Sequence, residues 1–201
     1  MSNNSKKASC PSCAWWLMKT EPHEFAIDDL KKVTKEPWTG VRNYQVRNFM
    51  RDQMTKGDKC FIYHSNTKIP GIVGVAEVVS DGAFPDPTQF DSKSKYYDSS
   101  SPKDQPRWWC VNVGFVEKFK NEVSLEDLKT MWQDEDSPVV RRGNRLSVSP
   151  VLTEAAVKKV LKKGGSGIVN NYGGFRVAEK KSQQTVVSEK KESGKRRQRD
   201  E

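Results

Sequence analysis

The chain has no run approaching the roughly 20 consecutive apolar residues that a membrane-spanning helix needs, so no membrane association is expected. Its opening, MSNNSKKASCPSC, lacks the apolar stretch of a secretory signal. Histidine is scarce, at two residues, and cysteine stops at four. A disulfide-stapled scaffold would need more cysteine and an oxidising compartment. Cys10 and Cys13 form a CxxC ahead of the aromatic-bearing region, but Cys60 and Cys110 stand alone in apolar runs, so no second pair completes a zinc site. No GxSxG elbow, HExxH pair or phosphate-cradling glycine loop is present, and no internal repeat. No cofactor or metal is expected. Apolar residues make up 34% of the chain, against roughly 45–50% for an ordinary domain when glycine is counted. Part of the chain is therefore solvated rather than packed.

What is present is concentrated. All 19 aromatic residues lie between Trp15 and Phe175. Residues 1–14 and 179–201 have none and are expected to be disordered, because they bury too little apolar surface to offset the entropy of ordering. The interval 15–178 is about one domain's length. The net charge is +9, to which the tail contributes eight basic and five acidic residues. Clusters at Lys180–Lys181, Lys190–Lys191 and Lys195–Arg199 suit a nuclear import signal.

Periodicity and punctuation give a mixed order of elements. WWLMK (15–19), DKCFIYHS (58–65), GIVGVAEVV (71–79), RWWCVNVGFVEKF (107–119) and GNRLSV (143–148) read as strands. IDDLKKV (27–33), NYQVRNFMRDQM (43–54), LEDLKTM (125–131) and the segment after Thr153 read as helices, the last stopped by Gly164. Residues 81–106 hold four of the ten prolines and read as a long surface loop. The order implies an α+β fold built on a compact, curved, mostly antiparallel sheet.

Candidate binding residues sit where strands end and helices begin. Trp38, Arg42, Asn43 and Tyr44 precede an amphipathic helix. The two aromatics offer flat faces, and Arg42 and Asn43 offer planar hydrogen-bonding groups that suit the edge of a base. Against this, Asn43 reads equally as a helix N-cap and Trp38 as a core residue. Tyr63, His64, Ser65 and Asn66 run from a strand into a loop, where sites tend to lie. His64 next to Ser65 is no catalytic pair, since neighbours on a strand point to opposite faces. An enzyme using His64 with Glu21, and a protein-interaction module using loop 81–106, remain as alternatives. Trp16 and Lys19 lie near the end of the first strand, and alternation sets Trp16 with Met18 on one face and Lys19 with Trp15 and Leu17 on the other. Of Trp108 and Trp109, at most one can line a given pocket. Arg145 and Ser147 share a strand face two residues apart. Lys19, Arg47, Arg51 and Arg145 offer phosphate contacts.

Five blocks, WWLMKTEPHEFAIDDL, WTGVRNYQVRNFM, FIYHSNTKIPGIVGVAEVV, PDPTQFD and RLSVSPVLTEAAV, occur in an order that resembles the EVE domain family, and within it the eukaryotic thymocyte nuclear protein group. The resemblance runs from Trp15 to Leu161; residues 131–144 and 165–177 fall outside the matched blocks. It implies a PUA-like fold, a small β-barrel with flanking helices. It also implies a non-enzymatic reader of nucleic acid carrying a modified base, with modified cytosine in DNA, such as 5-hydroxymethylcytosine, as the ligand and RNA as the alternative.

Overall fold

The computed structural model describes residues 12–178. The expected disorder of residues 1–11 and 179–201, the import clusters and Cys10 lie outside the described residues. Cys13 and Ala14 do not belong to a solvated leader. Both are buried, and Cys13 bridges Phe175 in the C-terminal extension.

Six strands form one mixed sheet in the order β2-β7-β4-β3-β1-β8. They are β1 (Trp15–Thr20), β2 (Glu36–Pro37), β3 (Lys59–His64), β4 (Gly71–Val78), β7 (Asn112–Ser124) and β8 (Val148–Val151). Only β1 and β3 run parallel; every other neighbour in this sheet is antiparallel. A short separate pair, β5 (Phe84–Pro85) with β6 (Trp109–Cys110), edges the long loop. The six-stranded sheet is strongly curled and left open between β2 and β8, a half-barrel of the EVE and PUA-like type. The curl has a local cause. Pairing of β4 with β7 slips between Ile72 and Gly74 and again between Val75 and Ala76, and such bulges bend and twist a sheet. Gly74 permits the close approach: a Cβ there would lie 2.3 Å from the Glu117 carbonyl.

Helices cover both faces. Val46 and Met50 of α2 (Tyr44–Asp52) join Ile27 and Leu30 of α1 (Ile27–Lys32) against Trp16, Met18 and Ile62. On the opposite face Leu128 of α3 (Leu125–Met131) and Val157, Val160 and Leu161 of α4 (Glu154–Lys163) pack on Trp15, Leu17, Phe61 and Tyr63. Alternation along β1 therefore divides its side chains as the sequence implied. Helix ends are capped as read: Asn43 accepts from the Val46 N–H, Ser124 from Asp127 and Thr153 from Ala156.

Two strands differ from expectation. The segment 107–119 is not one strand. It breaks at Val111, so that β6 pairs with β5 while β7 joins the main sheet and runs on to Ser124. The polar half of β7, residues 117–124, hid the strand because one side faces water. The segment 143–148 is not a strand before Val148. Gly143 has φ +76°, and Asn144 Oδ1 accepts the Leu146 N–H at 3.0 Å, a local turn that competes with pairing. Pro150 is tolerated in β8 because β8 is an edge strand.

Loop 81–106 is built rather than loose. Gln89 is fully buried; its Nε2 donates to the Asp86 and Trp108 carbonyls, and its Oε1 accepts from Ser101 Oγ and the Trp108 N–H. Asp86, also buried, accepts from the Gly40 N–H and from Arg42. Hydrogen bonds from Ser100 and Trp108 pull the Asp98 carboxyl down to about 2. These ties fold the loop back across the start of α2.

Candidate nucleic-acid interface

Three chain segments converge at the C-terminal end of β1. The Ser65 N–H donates to the Thr20 carbonyl at 2.8 Å, prolonging the β1–β3 ladder, and the Lys19 N–H donates to the Ser147 carbonyl at 2.8 Å on the other side. Trp38 follows β2 and anchors its own N–H on the Val111 carbonyl at 2.9 Å. Between these segments lies a cleft of about 510 Å³, lined by Lys19, Thr20, Glu21, Glu24, Phe25, Glu36, Pro37, Trp38, Thr39, Ser65, Tyr96, Arg145, Leu146 and Ser147. Its size falls in the range of small-molecule sites, about 300–1,000 Å³.

Of the residues singled out in the sequence, Lys19, Trp38, Ser65, Arg145 and Ser147 meet in this cleft. The others lie elsewhere. Trp16 is fully buried and spends its indole N–H on Asp58, 3.2 Å away, so it has no face for a base. Tyr63 is buried on the α3/α4 face of the sheet, opposite the α1/α2 core. Arg42 turns to the long loop, held by Asp86, Thr88 and the Tyr96 carbonyl. Asn43 serves as the cap of α2. Tyr44 stacks on Trp108 with ring centroids 4.9 Å apart. Asn66 donates to Glu21 Oε2 at 2.8 Å from a left-handed backbone at φ 51°. Neither Trp108 nor Trp109 lines the cleft. Arg145 and Ser147 reach it from a turn, not from a shared strand face.

Sequence reasoning missed Phe25, Glu36 and Tyr96. Phe25 arrives through a tight turn after β1, where the Phe25 N–H donates to the Glu21 carbonyl and Thr20 Oγ1 to the Phe25 carbonyl. Tyr96 is delivered by the long loop. Its ring lies against Gly40, where a Cβ would approach it to 2.6 Å and where φ is +79°. Only glycine satisfies both conditions.

The cleft is polar and mixed in charge. Lys19 is half-buried, and desolvation lowers its pKa; its ammonium sits 5.8 Å from the Tyr63 ring centroid. Glu24 is ion-paired with Lys95, which holds its carboxyl below the usual range. Glu21 is engaged by Asn66 and by His23 at 3.3 Å. The exposed Arg145 supplies donors, and the glutamates supply acceptors. Phe25, Trp38 and Tyr96 supply ring surface.

His64 has a different task. Its Nε2 accepts the Ile27 N–H at 3.1 Å and so satisfies an otherwise orphaned donor at the start of α1. Burial lowers its pKa below the ordinary value. Between that lowered value and about 6.5 the unfolded chain binds a proton that the fold does not, so stability falls as pH drops through this window and levels off below it. His64→Gln is expected to remove this component. The check is the difference between the wild-type and variant Tm profiles from pH 7.5 to 5; superimposable slopes would contradict the assignment.

The model of the EVE domain family matches residues 14–163. The chain belongs to the EVE domain family. It is 43% identical over 158 residues to mouse thymocyte nuclear protein 1, covering 70% of this chain and 69% of that protein. A Pseudomonas syringae protein of known structure superposes with a TM-score of 0.70 at 44% identity, covering 75% of this chain and 99% of that one. Human THYN1 in complex with DNA containing 5-methylcytosine superposes with a TM-score of 0.66 at 37% identity, covering 75% and 97%. Among the described residues of this EVE protein, no helix is long and apolar enough to cross a membrane.

Proposed function

We propose that this EVE domain is a nuclear, non-enzymatic reader that takes a modified cytosine of DNA into the cleft at the end of β1. The observation that carries the reading is the meeting of Trp38, Tyr96 and Lys19 in one cavity of small-molecule size. The human THYN1 complex with methylated DNA supports it from a relative, as do relatives named as nuclear proteins.

A duplex hides the faces and the Watson–Crick edge of its bases, so the target must leave the stack at a cost of a few kcal/mol. Ring surface from Trp38 and Tyr96 offsets this cost, since stacking is worth about 1–3 kcal/mol per base. Cytosine presents an amino donor beside two acceptors. A glutamate, of which Glu36 is the one on β2, is suited to the amino group, and the exposed Arg145 to the acceptors. Discrimination is a separate matter. Burying one methyl is worth only about 0.8 kcal/mol, roughly fourfold. A hydroxymethyl group, as in 5-hydroxymethylcytosine, is selected more strongly where it pairs a buried polar atom, at about 1–3 kcal/mol; Ser65 and Ser147, with Thr20 and Thr39, are among the hydroxyl residues lining the cavity. Binding rather than chemistry is favoured because His64 Nε2 is already occupied by the Ile27 N–H and Glu21 by Asn66.

The test is a titration of the full chain against DNA and RNA oligonucleotides that differ only in one cytosine modification, at two salt concentrations. DNA carrying a modified cytosine is expected to bind about fourfold more tightly or better than its unmodified twin. Equal affinity across the DNA panel would refute the reading, and preference confined to RNA would refute the choice of DNA.

A further inference from the structure

Outside the cleft, five side chains from three segments form an unbroken series of stacked rings and guanidinium groups. Tyr96, on the cleft wall, lies 5.5 Å from the guanidinium carbon of Arg42. That carbon lies 5.4 Å from the Trp108 ring. Trp108 stacks on Tyr44 at 4.9 Å with 29° between planes, and Arg47 covers Tyr44 at 4.9 Å. The series leads from the cleft onto the first turns of α2.

Its outer end is rich in arginine: Arg51 pairs with Asp52 and Arg107 with Asp98, and both arginines lie within electrostatic reach of Arg47. Tyr44 is 54% exposed, unusual for a large aromatic. The Arg47 guanidinium is held by neutral acceptors, Asn48 Oδ1 and the Arg107 carbonyl, both at 2.9 Å. Desolvation and then the like charges of Arg51 and Arg107 lower the Arg47 pKa, against an opposing pull from Tyr44 and Asp52. A guanidinium whose hydrogen bonds go to neutral acceptors beside two further arginines keeps the capacity to attract an anion.

Resting on the cleft as a base receptor, we infer that this face of α2, centred on Arg47 and Tyr44, binds the phosphates of the nucleic-acid strand that flanks the extruded base. A base in the cleft obliges its neighbouring phosphates to leave the mouth along some surface, and the ring–arginine series marks a cationic one that touches the cleft wall. The contact is to the backbone. It adds affinity and fixes register while carrying no sequence or modification preference.

The test is a salt titration of wild type, Arg47→Ala, Arg47→Lys and Tyr44→Ala against a modified DNA oligonucleotide and its unmodified twin, with Tm measured for each protein. Arg47→Ala is expected to weaken both oligonucleotides by the same factor, about fivefold to tenfold at low salt, and to lower the slope of log affinity against log salt by about one phosphate's worth. Arg47→Lys restores the slope. Tyr44→Ala weakens both oligonucleotides equally with the slope kept. Unchanged affinity and slope in folded Arg47→Ala would overturn the inference, and so would a change in the ratio of modified to unmodified affinity, which would put Arg47 in base recognition instead. Because the slope is readable on unmodified DNA, a wild type that fails to discriminate sinks the base-reading proposal without deciding this one.

Discussion

Asp58→Ala is expected to lower the Tm by roughly 6–20 °C, from a loss of about 3–5 kcal/mol when one partner of a buried ion pair is removed. Asp58 is almost completely buried, yet it precedes β3 as a charged residue. Its carboxylate accepts from the Ala14 N–H, the Trp16 indole, the Thr55 N–H and hydroxyl, and Arg176. One anion thereby ties the start of β1, the turn after α2 and the C-terminal extension. Truncation leaves several buried donors and the partly exposed Arg176 guanidinium without their carboxylate acceptor, the buried donors carrying the larger penalty. Adding Arg176→Met to the Asp58→Ala chain is expected to recover part of the loss by removing the stranded charge. Thermal unfolding of the two variants checks this, and an Asp58→Ala Tm within 2 °C of wild type would contradict it. The bond from the Ala14 N–H to this carboxylate holds the chain in the core ahead of Trp15.

Tyr96→Ala is expected to weaken binding of DNA containing a modified cytosine about fivefold to 150-fold, from the loss of about 1–3 kcal/mol of base stacking, with the Tm kept within about 3 °C. Tyr96 is a cleaner probe than Trp38. Trp38 lines the cleft but is only 7% exposed and packs with Met18, Val46 and Val111. Trp38→Ala would cost about 3–5 kcal/mol of core packing as well, and affinity lost with the fold says nothing about stacking. Tyr96 meets the cleft from a loop whose anchors are other residues. Its carbonyl, which receives the Arg42 Nε–H at 3.0 Å, survives truncation of the side chain. Tyr96→Phe keeps the ring and should keep the affinity. Wild-type affinity in a folded Tyr96→Ala protein, measured by fluorescence anisotropy, would remove Tyr96 from the site.

Legibility in the sequence followed the range of the forces involved. Local signals succeeded: the cap residues Asn43, Ser124 and Thr153 mark real helix starts, and alternation in WWLMK divides the two cores correctly. Lys19, Ser65 and Ser147 were accessible because each sits where a strand gives way to a turn. Tyr44 and Tyr96 exchanged parts. Tyr44 adjoins a helix start with base-binding chemistry, whereas Tyr96 lies in a stretch with no periodicity. What seats Tyr96 is a set of long-range bonds through Asp86, Gln89 and Asp98, with Gly40 clearing its ring. None of these leaves a local pattern. Tyr63 was lost to the cleft for a similar reason: alternation gives two faces, but only the packing of α3 and α4 shows which face is closed.

The most direct measurement is a crystal structure of this protein bound to duplex DNA carrying one modified cytosine. The expected result is that cytosine swung out of the helix and held against Trp38 and Tyr96, with Glu36 and Arg145 at its polar edge. A modified base still stacked in its duplex, or one seated on another face of the half-barrel, would contradict the cleft as the base receptor.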